Sequence, residues 1–198
     1  EWFQADVRPR MNGNCFLVRY ADDFVMGFSW KSDAERVYKV MPKRFERFGL
    51  SIHPEKSRMV QFNRPYWKQG KGPGSFAFLG FTHYWGKMLS GGWTIKRKTQ
   101  GKRLSRFLCG IGDWCKENLH EPIAKQHGIL SAKLRGHYHY YGVRGNFKML
   151  EVSYEGTRAK WKKWLSRRNS KDRMGWEKFA AQVEAIFDLP KPRIVHAF

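Results

Sequence analysis

The stretch Cys15-Phe16-Leu17-Val18-Arg19-Tyr20-Ala21-Asp22-Asp23-Phe24-Val25-Met26-Gly27-Phe28 constrains this chain more than any other. Two runs of strand-forming residues flank a short polar pair, which is the pattern of a β-hairpin. The turn would then carry Asp22 and Asp23 at its tip. Adjacent carboxylates held between hydrophobic strands present hard oxygen ligands suited to Mg²⁺. Two-metal phosphoryl or nucleotidyl transfer needs such ligands, because one ion helps activate the attacking hydroxyl and both stabilise charge at phosphorus. The competing reading is a plain turn, since Asp is common in turns.

Charge narrows the class of partner. The 198 residues carry 38 Lys+Arg against 17 Asp+Glu, a net charge of +21, and the pI is about 10.2. The excess is uneven: residues 1–84 are at net +6 and residues 85–198 at net +15. Basic side chains interleaved with aromatics favour a polyanion through counterion release and stacking, most densely at Trp161-Lys162-Lys163-Trp164-Leu165-Ser166-Arg167-Arg168. A solvated helix face is the bland account of any one such run. A membrane surface is disfavoured because no single long amphipathic helix gathers the charge.

Several classes are excluded. With 41% hydrophobic and 16% aromatic residues the chain is too apolar to stay unfolded. Its apolar runs fall far short of the ~18 residues a membrane span needs. Cys15, Cys109 and Cys115 have neither CxxC nor finger spacing, so no disulfide framework or zinc site is expected and a reducing, cytoplasmic setting fits best. The start, Glu1-Trp2-Phe3, has no basic or apolar leader and no initiating Met, so the sequence is expected to begin inside a longer protein.

Periodicity predicts an α+β fold. After the hairpin, Trp30, Ala34, Val37, Met41, Phe45 and Phe48 share one helical face that ends at Gly49, with Pro42 expected to kink or split it. Short strands are expected at Leu50–His53 and Arg58–Phe62, then a Gly/Pro/Lys loop at Lys68–Gly74. One strand is expected over Phe76–Phe81 and another over Trp93–Lys98, past a Ser90-Gly91-Gly92 turn. Four amphipathic segments follow, with faces Leu104/Leu108/Ile111/Cys115, Ile123/Leu130/Leu134/Tyr141, Phe147/Leu150/Tyr154/Trp161/Trp164 and Trp176/Phe179/Val183/Phe187. A boundary is expected near residue 90, giving a small α+β unit at 1–90 and a helical bundle at 91–198.

Tyr20-Ala21-Asp22-Asp23 in its hydrophobic setting resembles the YxDD catalytic block of reverse transcriptases. Gly49-Leu50-Ser51-Ile52-His53-Pro54-Glu55-Lys56-Ser57 resembles the next palm block, and Phe78-Leu79-Gly80-Phe81 the block that ends the palm. Leu134-Arg135-Gly136-His137-Tyr138-His139-Tyr140-Tyr141-Gly142-Val143 and Trp161 to Arg168 resemble the thumb, or maturase, domain of group II intron-encoded reverse transcriptases. The similarity extends over essentially the whole chain.

The resemblance implies a late palm at 1–90 followed by a helical thumb/maturase domain at 91–198. It implies Asp22 and Asp23 as Mg²⁺ ligands, and Lys56 as a general acid toward the leaving pyrophosphate, a role suited to a mobile ammonium. Tyr20 and Ala21 would lie beside the primer terminus, with Phe78, Leu79, Gly80 and Phe81 at the primer grip. Arg135, His137, His139, Arg144, Lys162, Lys163, Arg167 and Arg168 would contact intron RNA phosphates, whereas Tyr138, Tyr140 and Tyr141 read as core. His137 and His139, two apart on a helix, face different ways and are not expected to share a metal.

The implied partners are an RNA template, a DNA primer and dNTPs, in a bacterial cytoplasm. Glu1-Trp2-Phe3 resembles residues just downstream of the dNTP-pocket block. Fingers, dNTP contacts and a third catalytic carboxylate are therefore expected in other residues, one source being a separate polypeptide, and the chain alone is expected to be inactive in synthesis. Two further readings stay open. One is an RNA-binding maturase module that assists splicing without synthesis. The other is a related reverse transcriptase in a different role, such as defence, which the match through residues 134–168 disfavours.

Overall fold

The computed structural model describes residues 1–65, 74–168 and 174–196. The chain divides into two units, Glu1–Leu79 with His83–Ile95, and Gly80–Thr82 with Lys96–Phe198.

In the first unit a π-helical turn, Phe3–Val7, and a 3-10 turn, Arg8–Arg10, lead into β1 (Cys15–Tyr20) and β2 (Asp23–Phe28). The two strands are antiparallel, with Tyr20 opposite Asp23, Val18 opposite Val25 and Phe16 opposite Gly27. Side chains alternate between faces of a strand. Cys15, Leu17, Met26 and Phe28 therefore share one face, which packs with Phe3, Val7 and Val37 into a small core. Phe16, Val18 and Tyr20 share the other, and all three are exposed.

Helix α1 (Lys31–Glu46) follows, burying Val37 and Met41. Its first turn holds Asp33, which is buried and accepts hydrogen bonds from the backbone N–H of Asn12 (2.9 Å) and Gly13 (3.1 Å) and from Asn12 Nδ2 (3.1 Å). This carboxylate ties the segment before β1 to the helix, and an acid in the first turn also suits the helix dipole. Pro42 does not split the helix. The helix ends in a Schellman motif: Leu50 N–H donates to Phe45 O (3.1 Å), Gly49 N–H donates to Glu46 O (3.0 Å), and Gly49 takes φ +67°. Trp30 and Phe48, expected on the buried face, lie just beyond its two ends and are exposed.

The strands expected at Leu50–His53 and Arg58–Phe62 do not form. A β-rich pattern makes a strand only where a partner edge exists, and carbonyls of both segments are bonded otherwise: His53 O accepts from the N–H of Lys56 (3.2 Å) and Ser57 (3.0 Å), and Phe62 O from Trp85 Nε1 (3.3 Å). The loop expected at Lys68–Gly74 lies, but for Gly74, outside the described residues.

A three-stranded sheet in the order β3-β4-β5 comprises β3 (Ser75–Phe78), β4 (Phe81–Lys87) and β5 (Trp93–Thr99). Phe76–Phe81, expected as one strand, is instead a hairpin bend. Leu79 at φ +47° and Gly80 at φ +75° form a two-residue connection with both residues left-handed, the geometry that matches the twist of paired strands. Glycine takes that conformation freely, and Leu79 takes it at a cost.

The second unit is helical: α2 (Gly101–Glu117), α3 (Ile123–Tyr141), α4 (Phe147–Leu165) and α5 (Trp176–Phe179), which runs on into a π-helical turn at Ala180–Glu184. Its core gathers Ile111, Leu130, Leu134, Tyr138, Leu150, Trp161 and Phe179, all buried. Lack of a side chain at Gly156 lets α4 approach α2, since a Cβ there would sit 2.6 Å from Leu108 Cδ2. Phe147 and Trp176, expected on buried faces, are exposed. Several polar groups inside the unit are paired with one another. Trp161 Nε1 donates to Gln126 Oε1 (2.7 Å), and Gln126 Nε2 donates to the carbonyls of Asn118 (2.7 Å), Leu119 and Glu121. Asn146 bonds Thr99 twice, at 2.8 Å each way, which fixes the end of β5 to the start of α4. Among the described residues no helix is long and apolar enough to cross a membrane.

Candidate active site and nucleic-acid interface

The pairing of Tyr20 with Asp23 leaves Ala21 and Asp22 as a two-residue loop. Ala21 takes φ +52°, which costs a residue with a Cβ roughly 1 kcal/mol or more. Arg19 braces the bend, its Nε donating to Ala21 O at 2.7 Å. Below it, Phe24 stacks on Phe45 of α1 with ring centroids 5.8 Å apart. Both carboxylates are exposed, and neither has a hydrogen bond or ion pair among the described residues. Asp23 shares the open face of the hairpin with Tyr20 and Val18.

This donor set fits a hard divalent cation: charged oxygens, free of other partners, on a braced turn. It is not a closed site. Among the described residues no group of three or more His, Cys, Asp or Glu side chains could hold a metal ion.

Lys56 is exposed in a turn, its N–H donating to His53 O at 3.2 Å. No ion pair joins it to Asp22 or Asp23 among the described residues. Phe78 and Leu79 are half-buried at the β3–β4 bend. Gly80 and Phe81, themselves part of the second unit, meet aromatic side chains of α3. A Cβ at Gly80 would lie 2.9 Å from Tyr141 Oη, and the Phe81 ring stacks on Tyr140 (6.2 Å) and meets Tyr141 edge-on (5.3 Å). Tyr138 is core as expected; Tyr140 is exposed, one face covered by Phe81.

The eight residues expected at RNA phosphates separate into three groups. Arg135, His139 and Arg144 are exposed on and just after α3. Lys163 and Arg167 lie over the Trp164 ring at 5.6 and 4.7 Å, while Lys162 lies over Trp176 at 5.0 Å, which leaves three cations arrayed on aromatic faces at the end of α4.

Arg168 and His137 are not open surface cations. The Arg168 guanidinium is turned inward, donating to the carbonyls of Leu119 (2.5 Å) and Glu121, so it closes the α2–α3 connection rather than facing a phosphate in solvent. His137 is 7% exposed, and burial pulls its pKa down to about 4, so it is a neutral ring and not a surface cation.

Sequence reasoning passed over Arg103, Arg106 and Lys133, which with His137 line one groove between α2 and α3. The available signal was spacing. Arg103 and Arg106 are one turn apart on α2, and Lys133 is one turn before His137 on α3.

Residues 1–83 match the family model described as reverse transcriptase (RNA-dependent DNA polymerase). The match takes in the carboxylate hairpin, α1 and the Gly49–Ser57 block, and ends within β4, so this part of the chain is similar to reverse transcriptases. No curated protein matches the chain.

Proposed function

We propose that this chain is the late palm and thumb/maturase portion of a group II intron-encoded reverse transcriptase, acting in a bacterial cytoplasm. The observation that carries the reading is the pair Asp22/Asp23, exposed and unpartnered on a braced hairpin inside the segment that matches reverse transcriptases. In this reading residues 1–90 are palm and residues 91–198 the RNA-gripping helical domain. The division of the chain after Ile95 and the excess of cations beyond it support that assignment.

Asp22 and Asp23 would hold Mg²⁺, which when bound supplies activation of the primer hydroxyl and charge stabilisation at the phosphorus undergoing transfer. The protein's own residues do the rest. Arg19 and the Phe24–Phe45 stack keep the carboxylates in place. Tyr20 and Ala21 bound the space beside the primer end, and the Leu79–Gly80 bend brings backbone to the primer strand. Lys56 delivers a proton to the leaving pyrophosphate. Arg135, His139, Arg144, Lys162, Lys163 and Arg167 hold the intron RNA.

A two-metal site needs a further carboxylate, and the described residues group no third ligand with this pair. The basic helical second unit favours a second reading, an RNA-binding maturase module that does not synthesise DNA.

Mg²⁺-dependent primer extension on an RNA template separates them. The chain is assayed alone and together with a polypeptide bearing reverse-transcriptase fingers and a further carboxylate. Extension only in the mixture, abolished by Asp22→Ala with RNA binding unchanged, is expected. RNA binding without extension in either case would leave the module, and extension surviving Asp22→Ala would remove the carboxylate assignment.

A further inference from the structure

The groove between α2 and α3 has a volume of about 390 Å³ and lies within the second unit. Its lining holds three cations, Arg103, Arg106 and Lys133, and no carboxylate. None of the three forms an ion pair among the described residues. Like charges gathered without counter-charge repel one another, an arrangement relieved when an anion enters.

The groove also contains a polar group with nothing to bond. His137 is more than nine-tenths buried, its ring stacked on Phe107 (4.2 Å, 30°) and tilted against Tyr141 (4.7 Å), and its Nε2 has no hydrogen-bond partner. An orphaned buried nitrogen is destabilising, and native folds pair such groups almost without exception. Phe107 and Tyr141, which pack on this ring, also line the groove. Held neutral by burial, the imidazole brings a directional N–H to the place where the cations bring charge.

We propose that this groove takes one phosphate group of an RNA strand, with the His137 Nε2–H donating to a phosphate oxygen and Arg103, Arg106 and Lys133 supplying the counter-charge. This rests on the reading of the second unit as RNA-binding. A strand phosphate suits the site better than a free one, because the Phe107 and Tyr141 rings beside the cations offer apolar surface to the flanking sugars, which inorganic phosphate cannot use. Gly110 on α2 also lines the groove. A Cβ there meets nothing within 4 Å, so the groove is open where a nucleotide would pass.

The test uses the full chain, ¹⁵N-labelled, and two probes: a short single-stranded oligoribonucleotide and inorganic phosphate. Affinity is read by fluorescence anisotropy, and the His137 ring nitrogens by histidine side-chain NMR. RNA is expected to move the His137 Nε2 signal. His137→Phe, which keeps a stacked ring and loses the donor, should weaken RNA binding roughly tenfold. Gly110→Glu tests the same site without touching the core: it sets a carboxylate on the groove wall and should cost tenfold or more.

Changing Arg103, Arg106 and Lys133 to Gln together should lower the slope of log K against log salt by about 0.7, the share of one strand phosphate. Tight RNA binding that leaves the His137 signal still and is indifferent to Gly110→Glu would overturn the groove while sparing the RNA-binding reading. No RNA binding by the wild-type chain would overturn both. A His137 signal that moves with inorganic phosphate and not with RNA would make the site one for a free anion and overturn the strand assignment.

Discussion

The core cluster of the first unit encloses Phe3, Val7 and Val37, while that of the second gathers twelve buried residues, among them Trp161, Tyr138 and Phe179 with almost no exposure. Both units are rich in apolar side chains, so the difference is one of surfaces. Three long helices cover one another. The N-terminal turn, the hairpin and α1, which carry the core cluster of the first unit, cannot, and a two-stranded ribbon is marginal by itself. Phe16, Val18, Tyr20, Trp30, Phe48 and Leu50 are left in contact with water. The carboxylate hairpin therefore stands on a thin support, whereas the basic unit is built on a dense one.

The sharpest way to break that contrast is to attack the dense core. Trp161→Ala should cost about 3–5 kcal/mol by cavity formation and also leaves Gln126 Oε1 without its donor, while Val18→Ala on the open face of the hairpin should cost under about 0.5 kcal/mol. Urea unfolding followed by circular dichroism measures both, and similar losses would erase the distinction. Next in size is Gln126→Leu, which deprives Trp161 and the carbonyls of Asn118, Leu119 and Glu121 of a partner at once. About 2–3 kcal/mol is expected in the same assay.

Acid should then act on the second unit through His137. Its folded pKa, about 4, lies below the ordinary 6.5, so between those values the unfolded chain binds a proton that the folded chain does not. Stability is full above pH 6.5 and falls as the pH drops toward 4. His137→Phe should flatten that part of the profile, and thermal melts at pH 4.5 and 7.5 for both proteins measure it. The smallest effect is at the hairpin. Ala21→Gly relieves the left-handed strain but loosens the unfolded chain, so a gain below about 1 kcal/mol is expected, read as a shift in the urea midpoint.

Local pattern carried much of this architecture. The strand residues around Asp22-Asp23 specify their hairpin, the periodicity from Ala34 to Phe45 specifies α1, Gly49 its end, and the four apolar faces beyond residue 100 the helices of the second unit. Features set by distant partners were not legible. Leu50–His53 and Arg58–Phe62 have strand-like residues but no edge to pair with. Phe76–Phe81 reads as one strand because Leu79 gives no hint of a left-handed residue.

The carboxylate pair stood out because two adjacent acids are bound to share a neighbourhood. The groove did not, because Arg103 and His137 are brought together only by the packing of α2 on α3. Arg168 shows the reverse error: within a basic run it resembles its neighbours, and only the position of the α2–α3 connection reveals that its charge is turned inward.

That inward turn has a consequence for the order in which the chain is made. The carbonyls of Leu119 and Glu121 are synthesised long before the guanidinium of Arg168 that caps them, and Gln126, though close in sequence, is oriented by Trp161 of the helix that precedes Arg168. Until a nascent chain that has released α2 and α3 also releases that later segment, the connection between the two helices is bonded to water. Emergence of residues 161–168 seals it, so α4 acts as the closing segment of vectorial folding and α2–α3 waits for it.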